Sequence, residues 1–212
     1  YLAYRDLESL IGRYVKGTIA LDYGCGRGRS SHFLAALGFE VEAIDVCPCM
    51  LKQAVKQTGN INFRLVKPFQ AALHVKHFNL ILSQLTLVEI QTEQQIEKML
   101  FEQYQALKPG GILIHTTASN DLLHKSWLSI DTNFPQNKAI KNGEAGRIKL
   151  LNRDLELNSW HWEEDYLIRQ FSMAGFELLS MHKPLGHVDD PYIWGSEMHY
   201  TPYVIFNLRR PK

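Results

Sequence analysis

The chain has 212 residues, enough for one sizeable core, and a single domain spanning 1–212 is the expectation. Its 23 Lys and Arg against 22 Asp and Glu leave a net charge of +1, which argues against a strongly cationic nucleic-acid surface. Three cysteines make no complete disulfide framework, so a reducing compartment, the cytoplasm, is expected. No apolar run reaches membrane-spanning length, so no membrane partner is expected.

In chain order, residues 18–23 form a short apolar run that stops at glycines and reads as a buried strand. Residues 29–37 turn helical, with Phe33, Leu34 and Leu37 on one face and Gly38 as the stop. A second strand covers 40–45. Pro48 then opens a helix whose apolar face carries Met50, Leu51, Ala54 and Val55. Strands follow at 61–66 and 78–83. Thr92 with Gln95 three residues on predicts a capping box, and Ile96, Met99, Leu100 and Leu107 keep helical spacing behind it. The run Lys108-Pro-Gly-Gly111 should end that helix, with a fifth strand at 112–116.

After Thr117 the alternation breaks. About forty residues, 119–160, read as an insertion, part of it a hairpin over 147–160, since a featureless loop of that length is unusual in a compact domain. A helix at 162–174 burying Leu167, Ile168 and Phe171, and strands at 176–181 and 203–208, complete the chain. Strands alternating with helices predict an α/β fold, a doubly wound and mostly parallel sheet covered on both faces.

The chemistry concentrates in residues 19–46, IALDYGCGRGRSSHFLAALGFEVEAIDV. A strand that ends in glycines and turns into a helix lets the backbone approach a ligand closely. An acid at the end of the next strand, Asp45, can accept hydrogen bonds from a ribose diol. A tight turn beside a surface Asp is the plainer reading, and the strand context of both features weighs against it. The glycines are spaced G-x-G-x-G (Gly24, Gly26, Gly28) behind Asp22, which departs from the dinucleotide fingerprint.

At these residues the chain resembles the class I S-adenosylmethionine-dependent methyltransferases, and within them the small-molecule type. LDYGCGRGR looks like their first motif and EAIDVCPCML like their second-strand signature. LKPGGILI and FSMAGFELL look like the segments entering their fifth and sixth strands. The resemblance implies a seven-stranded Rossmann-like sheet in the order 3-2-1-4-5-7-6, with the seventh strand antiparallel. It implies S-adenosylmethionine as cofactor and S-adenosylhomocysteine as product. Asp22, Gly24, Cys25, Gly26 and Gly28 would form the methionine-side turn, and Asp45 would hold the ribose. Val46 and Met50 would flank adenine, and Ser83 would approach the amino-acid end through its backbone. Where such proteins often carry an Asp after the third strand, this chain has Lys67, which cannot accept a hydrogen bond. A carbonyl near Pro68 or Phe69 would then serve the adenine amino group. Asn79 stands where an Asp is frequent in the fourth strand.

The expected partner is a small-molecule methyl acceptor. A methyltransferase acting on protein or RNA, or a protein that binds the cofactor without turnover, are the alternatives. The activated methyl group needs alignment more than a base, so acceptor-side assignments are weaker. His161, between two tryptophans, is a candidate base set against a packing role. Glu89, Trp162, Tyr192 and Trp194 are candidate acceptor contacts. Tyr4 could face the sulfonium, or Arg5 the cofactor carboxylate. His115 reads as a core histidine. His182, His187 and His199 show no metal-site spacing, and Cys47-Pro48-Cys49 is too tight for a zinc pair and reads as a helix start. No metal is expected. The insertion and residues 186–199 should together wall the acceptor pocket.

Overall fold

The computed structural model describes residues 1–56, 61–71 and 73–212. Five parallel strands build the frame: β1 (Ile19–Tyr23), β2 (Glu40–Asp45), β3 (Ile61–Leu65), β4 (Phe78–Gln84) and β5 (Leu107–Ala118). Three inserted strands follow, β6 (Ile130–Asp131), β7 (Ala145–Leu150) and β8 (Leu155–Trp160), and then β9 (Glu177–His182) and β10 (Tyr203–Arg209). The main sheet runs β3-β2-β1-β4-β5-β10-β9, with β10 antiparallel to both neighbours. This is the expected order, with β9 and β10 as its sixth and seventh strands.

Period-two alternation explains the layers. Ala20, Leu80, Ile112 and Ile205 face one side of the sheet. There they pack on α2 (Leu7–Tyr14), α3 (Arg29–Ala36) and α4 (Pro48–Ala54). Leu21, Ile81, Leu113 and Phe206, each one residue on, face α5 (Glu93–Ala106) and α6 (Glu164–Met173). Strands buried on both faces need near-continuous apolar runs; the central strands β1, β4, β5 and β10 are mostly buried, while the edge strands β3 and β9 are partly exposed. A short helix, α1 (Leu2–Arg5), precedes α2. Among the described residues no helix is long and apolar enough to cross a membrane.

Two local expectations shift. Thr92 does cap α5, accepting from the Gln95 N–H, but the Gln95 side chain reaches back to the N–H of Gln91 rather than to that of Thr92. The glycine pair after Pro109 does not separate helix from strand. It lies inside β5, which begins at Leu107 opposite Phe78, and a register irregularity between Phe78 and Leu80 absorbs it.

The insertion has structure of its own. β6, β7 and β8 form a three-stranded antiparallel sheet. Ala118, Leu122, Leu123, Trp127 and Ile130 gather into a small apolar cluster beside it. Residues 183–202 lie against the insertion: Glu197 accepts from the N–H of Leu128 at 2.6 Å, and Lys125 sits 3.9 Å from the ring centre of Tyr200. Both segments leave the sheet at the carboxyl ends of parallel strands, β5 and β9.

Candidate active site

At those carboxyl ends a cleft of about 630 Å³ opens between the β1 turn, the end of β2 and the exit of β4. Its inner wall is the glycine turn. The N–H groups of Gly24 and Cys25 both donate to the Ile44 carbonyl at 2.9 Å, which pins the turn to β2. Gly24 has φ +76°, and a Cβ there would meet the Thr86 Cγ2 at 2.2 Å, so only glycine fits. Gly26 donates its N–H to Asp45 Oδ2 at 2.7 Å, and Cys47 donates to Asp45 Oδ1 at 2.7 Å. Each carboxylate oxygen has a second lone-pair direction, so Asp45 can hold the turn and still accept two hydroxyls from a diol.

Beyond Asp45 the cleft is lined by Val46, Met50, Val66, Lys67, Pro68 and Phe69. The chain turns back on itself after β3, with Gln70 donating its N–H to the Lys67 carbonyl, and this puts Pro68 and Phe69 at the wall. Phe69 takes φ +54°, and Leu85, after β4, takes φ +58°. Both are left-handed conformations that bulky residues seldom adopt, and both line the one cleft. Such outliers cluster at ligand sites because the surrounding structure has to hold them there. Gln84 donates from Nε2 to Thr116 Oγ1 at 2.8 Å, while its buried Oε1 has no partner among the described residues. That acceptor, the glycine cradle and the acid fit a ligand carrying a diol and an amino group.

Eight expected site residues line this cleft together: Gly24, Gly26, Asp45, Val46, Met50, Pro68, Phe69 and Glu89. Four expected cofactor residues lie behind its surface. Asp22 is fully buried and accepts from Ser30 Oγ at 2.7 Å and Ser31 Oγ at 2.5 Å, tying the turn to the first turn of α3. Burial pushes its carboxyl up to about 6, against the pull of those hydroxyls. Cys25 is buried in the α-helical layer, and burial raises its thiol pKa well above the usual range. Gly28, at φ +85°, lets α3 pass Ala54 and Phe63, where a Cβ would lie at 3.1 and 3.2 Å. Ser83 is fully buried with its hydroxyl against that of Thr86. The strand runs one residue further than expected, so Gln84, Leu85 and Thr86, rather than Ser83, line the cleft at its exit.

The acceptor-side expectations need more correction. His161 is 8% exposed and is not among the cleft-lining residues. Its main chain pairs with Gly143 and Glu144, and burial lowers its pKa. It is held at the base of the β7–β8 hairpin, which instead sends Leu157 into the cleft wall. Trp162 lies behind the wall, donating its indole N–H to the Ile90 carbonyl at 2.9 Å and stacking on Tyr166. Tyr192 and Trp194 pack with Tyr1, and Trp194 donates to Asp190. Arg5 pairs with Asp6, Asp190 and the Leu185 carbonyl, while Tyr4 packs edge-on to Phe33 beneath Arg29. These N-terminal residues fasten α1 to the 185–194 loop and to α3. Asn79 sits at the far end of β4, where it accepts from the Ile19 N–H, and so has no part in an adenine site. His115 is a core histidine as expected, 3.0 Å from Gln103 Oε1 and stacked on Phe171. Gln84, Thr86, Gln91 and Gln95 also line the cleft, and no sequence signal ranked them.

A second hollow, about 830 Å³, lies within the insertion between Leu123, Lys125, Asp131, Phe134 and Lys138, with Ser196 from the later loop. The two long segments therefore do meet, but around this hollow, apart from the glycine turn.

The fold and this cleft define the class that the chain resembles, the class I S-adenosylmethionine-dependent methyltransferases, and S-adenosylmethionine is the cofactor of that class. Residues 20–111, from β1 into β5, match the family model described as a methyltransferase domain. Among relatives, a malonyl-[acyl-carrier protein] O-methyltransferase of Enterobacter lignolyticus is 30% identical over 135 residues, covering 61% of this chain and 53% of that one. The protein of the same name from Salmonella typhimurium is 27% identical over 177 residues, covering 77% and 66%. The chain thus spans about half to two thirds of the length of these relatives. Among solved structures, an S-adenosylmethionine-dependent methyltransferase of Mesorhizobium loti superposes with a TM-score of 0.71 at 17% identity, covering 98% of both chains. A glycopeptide N-methyltransferase solved with S-adenosylmethionine gives 0.71 at 14% identity, covering 99% and 94%. At such identities the likeness is one of fold.

Asp45 carries the sharpest test of the site. Removing a charge-assisted hydrogen bond costs on the order of 1.5–3 kcal/mol, so Asp45→Ala is expected to weaken S-adenosylhomocysteine binding roughly ten- to a hundredfold. Asp45→Asn should lose nearly as much, because an amide nitrogen cannot accept from a backbone N–H. Calorimetry on the folded variants checks this, and an unchanged Kd would remove Asp45 from the site.

Proposed function

We propose that this protein transfers the methyl group of S-adenosylmethionine to a small-molecule acceptor seated at the outer end of the cleft. One observation carries the reading: a single cleft collects the glycine turn, Asp45, the adenine-side residues and the exit of β4. When bound, the cofactor supplies an activated methyl group, so the chain's contribution is binding, orientation and exclusion of water. Gly24 and Gly26 hold the methionine side by close backbone approach. Asp45 orients the ribose, and Val46, Met50 and Phe69 enclose the base. Gln84, Leu85 and Thr86 face the amino-acid end. Glu89, Ile90, Gln91 and Leu157 border the mouth, where the acceptor would lie.

Glu89 gives the mouth its chemistry. Burial raises its carboxyl pKa, which suits it to take a proton from a hydroxyl or to hold an ammonium group. The relatives are named for a malonyl group on an acyl carrier protein, and that acceptor is the second reading. A carboxylate brought beside Glu89 would meet like-charge repulsion, so a neutral or cationic acceptor is placed first.

The expected result is binding of S-adenosylmethionine and S-adenosylhomocysteine by calorimetry at physiological salt, and no binding of NAD. NAD binding without response to either sulfur nucleoside would end this reading. Release of S-adenosylhomocysteine should then be stimulated by members of a panel of small phenols and amines. Stimulation by malonyl-acyl carrier protein alone would favour the second reading.

A further inference from the structure

Beside the cleft, the thiols of Cys47 and Cys49 face each other across Pro48 with their sulfurs 2.8 Å apart. Cys49 is exposed and Cys47 half-buried, so a small solute can reach the pair. Cys47 also lines the cleft, and its main-chain N–H is one of the two that hold Asp45. The helix start accounts for Pro48. It does not account for two sulfurs in contact at the rim of a cofactor site.

We propose that Cys47 and Cys49 form a modification site, a dithiol that hydrogen peroxide closes to an intramolecular disulfide, and that the closed form binds cofactor more weakly. The second half rests on the cofactor reading of the cleft; the first does not. Cys47 is the attacking sulfur, since it stands at the start of α4, where contact with the Cys49 sulfur and the Met50 main chain lowers its thiol pKa. The Cys47 thiolate attacks one peroxide oxygen: an S–O bond forms, the O–O bond breaks and hydroxide leaves. The sulfur of Cys49 then attacks that of Cys47: the S–S bond forms, the S–O bond breaks, and the thiol proton leaves with hydroxide as water. Two thiols are oxidised by two electrons, and one peroxide is reduced to two waters.

The consequence for the cleft is geometric. A bond between sulfurs two residues apart constrains the backbone of residues 47–49. That stretch carries the N–H on Asp45 and leads directly into Met50, a cleft residue. Turning it disturbs the ribose ligand and the adenine side together. Cys25 is the internal reference: buried, with its thiol pKa raised by burial, it should stay reduced.

The test uses the whole chain, reduced or treated with stoichiometric hydrogen peroxide, then denatured and alkylated. The expected oxidised product has lost two hydrogen atoms, carries one alkyl group on Cys25, and yields a cross-linked peptide holding Cys47 and Cys49. Calorimetry should show S-adenosylhomocysteine binding roughly tenfold weaker than in the reduced protein, with recovery after dithiothreitol. Cys49→Ser cannot close the bond and should keep its affinity through the same treatment. Several outcomes would overturn the proposal: sulfinic acid without a cross-link, a cross-link to Cys25 or to another chain, a closed disulfide with unchanged affinity, or equal loss in Cys49→Ser. Reduced protein that binds no S-adenosylhomocysteine would overturn the cofactor reading and the gate with it, while the peptide map would still report on the disulfide.

Discussion

Gly24→Ala is expected to weaken S-adenosylhomocysteine binding by roughly a hundredfold and to lower the stability of the fold by about 2–4 kcal/mol. Two costs combine. The left-handed backbone at φ +76° is strained for any L side chain, and the new methyl group would fall 2.2 Å from the Thr86 Cγ2. Thr86 is β-branched and stiff at χ1, and its hydroxyl is engaged with that of Ser83, so it cannot swing aside freely. The turn must move instead, and it carries the Gly26 N–H that meets Asp45. Thr86→Ser removes the obstructing methyl and keeps the hydroxyl. Added to Gly24→Ala it should recover the steric part of the loss and leave the backbone strain. Calorimetry and urea unfolding on the single and double variants separate the two. A Gly24→Ala protein with native affinity would show that the turn is not the cofactor cradle.

His115 should dominate one part of the acid response. It is fully buried, and burial lowers its pKa from 6.5 to about 3. The folded protein therefore leaves it neutral over a range in which the unfolded chain takes up a proton. Stability from this group is complete above the unfolded value and is lost as pH falls from about 6.5 toward 3, on the order of 5 kcal/mol in all. Asp22 works the other way. Its carboxyl is pushed up to about 6, so the folded state binds a proton first and gains relative stability as pH falls from about 6 to the ordinary carboxylate range. The two slopes nearly cancel across that window, and the net loss from this pair resumes below it. His115→Gln keeps a donor toward Gln103 Oε1 but cannot take a proton. The stability difference between native protein and this variant should therefore shrink by about 1.4 kcal/mol per pH unit below 6.5. Urea unfolding at several pH values reads it directly, and a difference independent of pH would show that His115 is not held neutral.

The strands and helices of the sheet were legible because each is a local pattern. β1 stops at glycines, β2 ends on an acid, Thr92 caps α5, and neighbouring residues such as Leu80 and Ile81 serve opposite faces. The inner wall of the cleft was legible for the same reason: turn, acid and helix start lie within residues 19–50, and a short βαβ stretch folds them together. The residues that complete the cleft come from separate crossings of the chain. Nothing around Gln84, Leu85 or Leu157 distinguishes them in sequence, since their place depends on where β4 ends and on how the β7–β8 hairpin folds back.

The same limit explains His161. A histidine between two tryptophans is chemically suggestive, but a hairpin base orients its residues by its pairing with residues 143–144, and that pairing buries this ring away from the cleft. What the sequence by itself determined was the doubly wound sheet, the glycine turn and the acid at the end of β2, because short-range periodicity and turn chemistry specify them. What only the tertiary structure decided was the outer wall of the cleft, the separate hollow in the insertion and the meeting of Cys47 with Cys49. Each of these depends on contacts between elements, or on a side-chain placement, that no local pattern encodes.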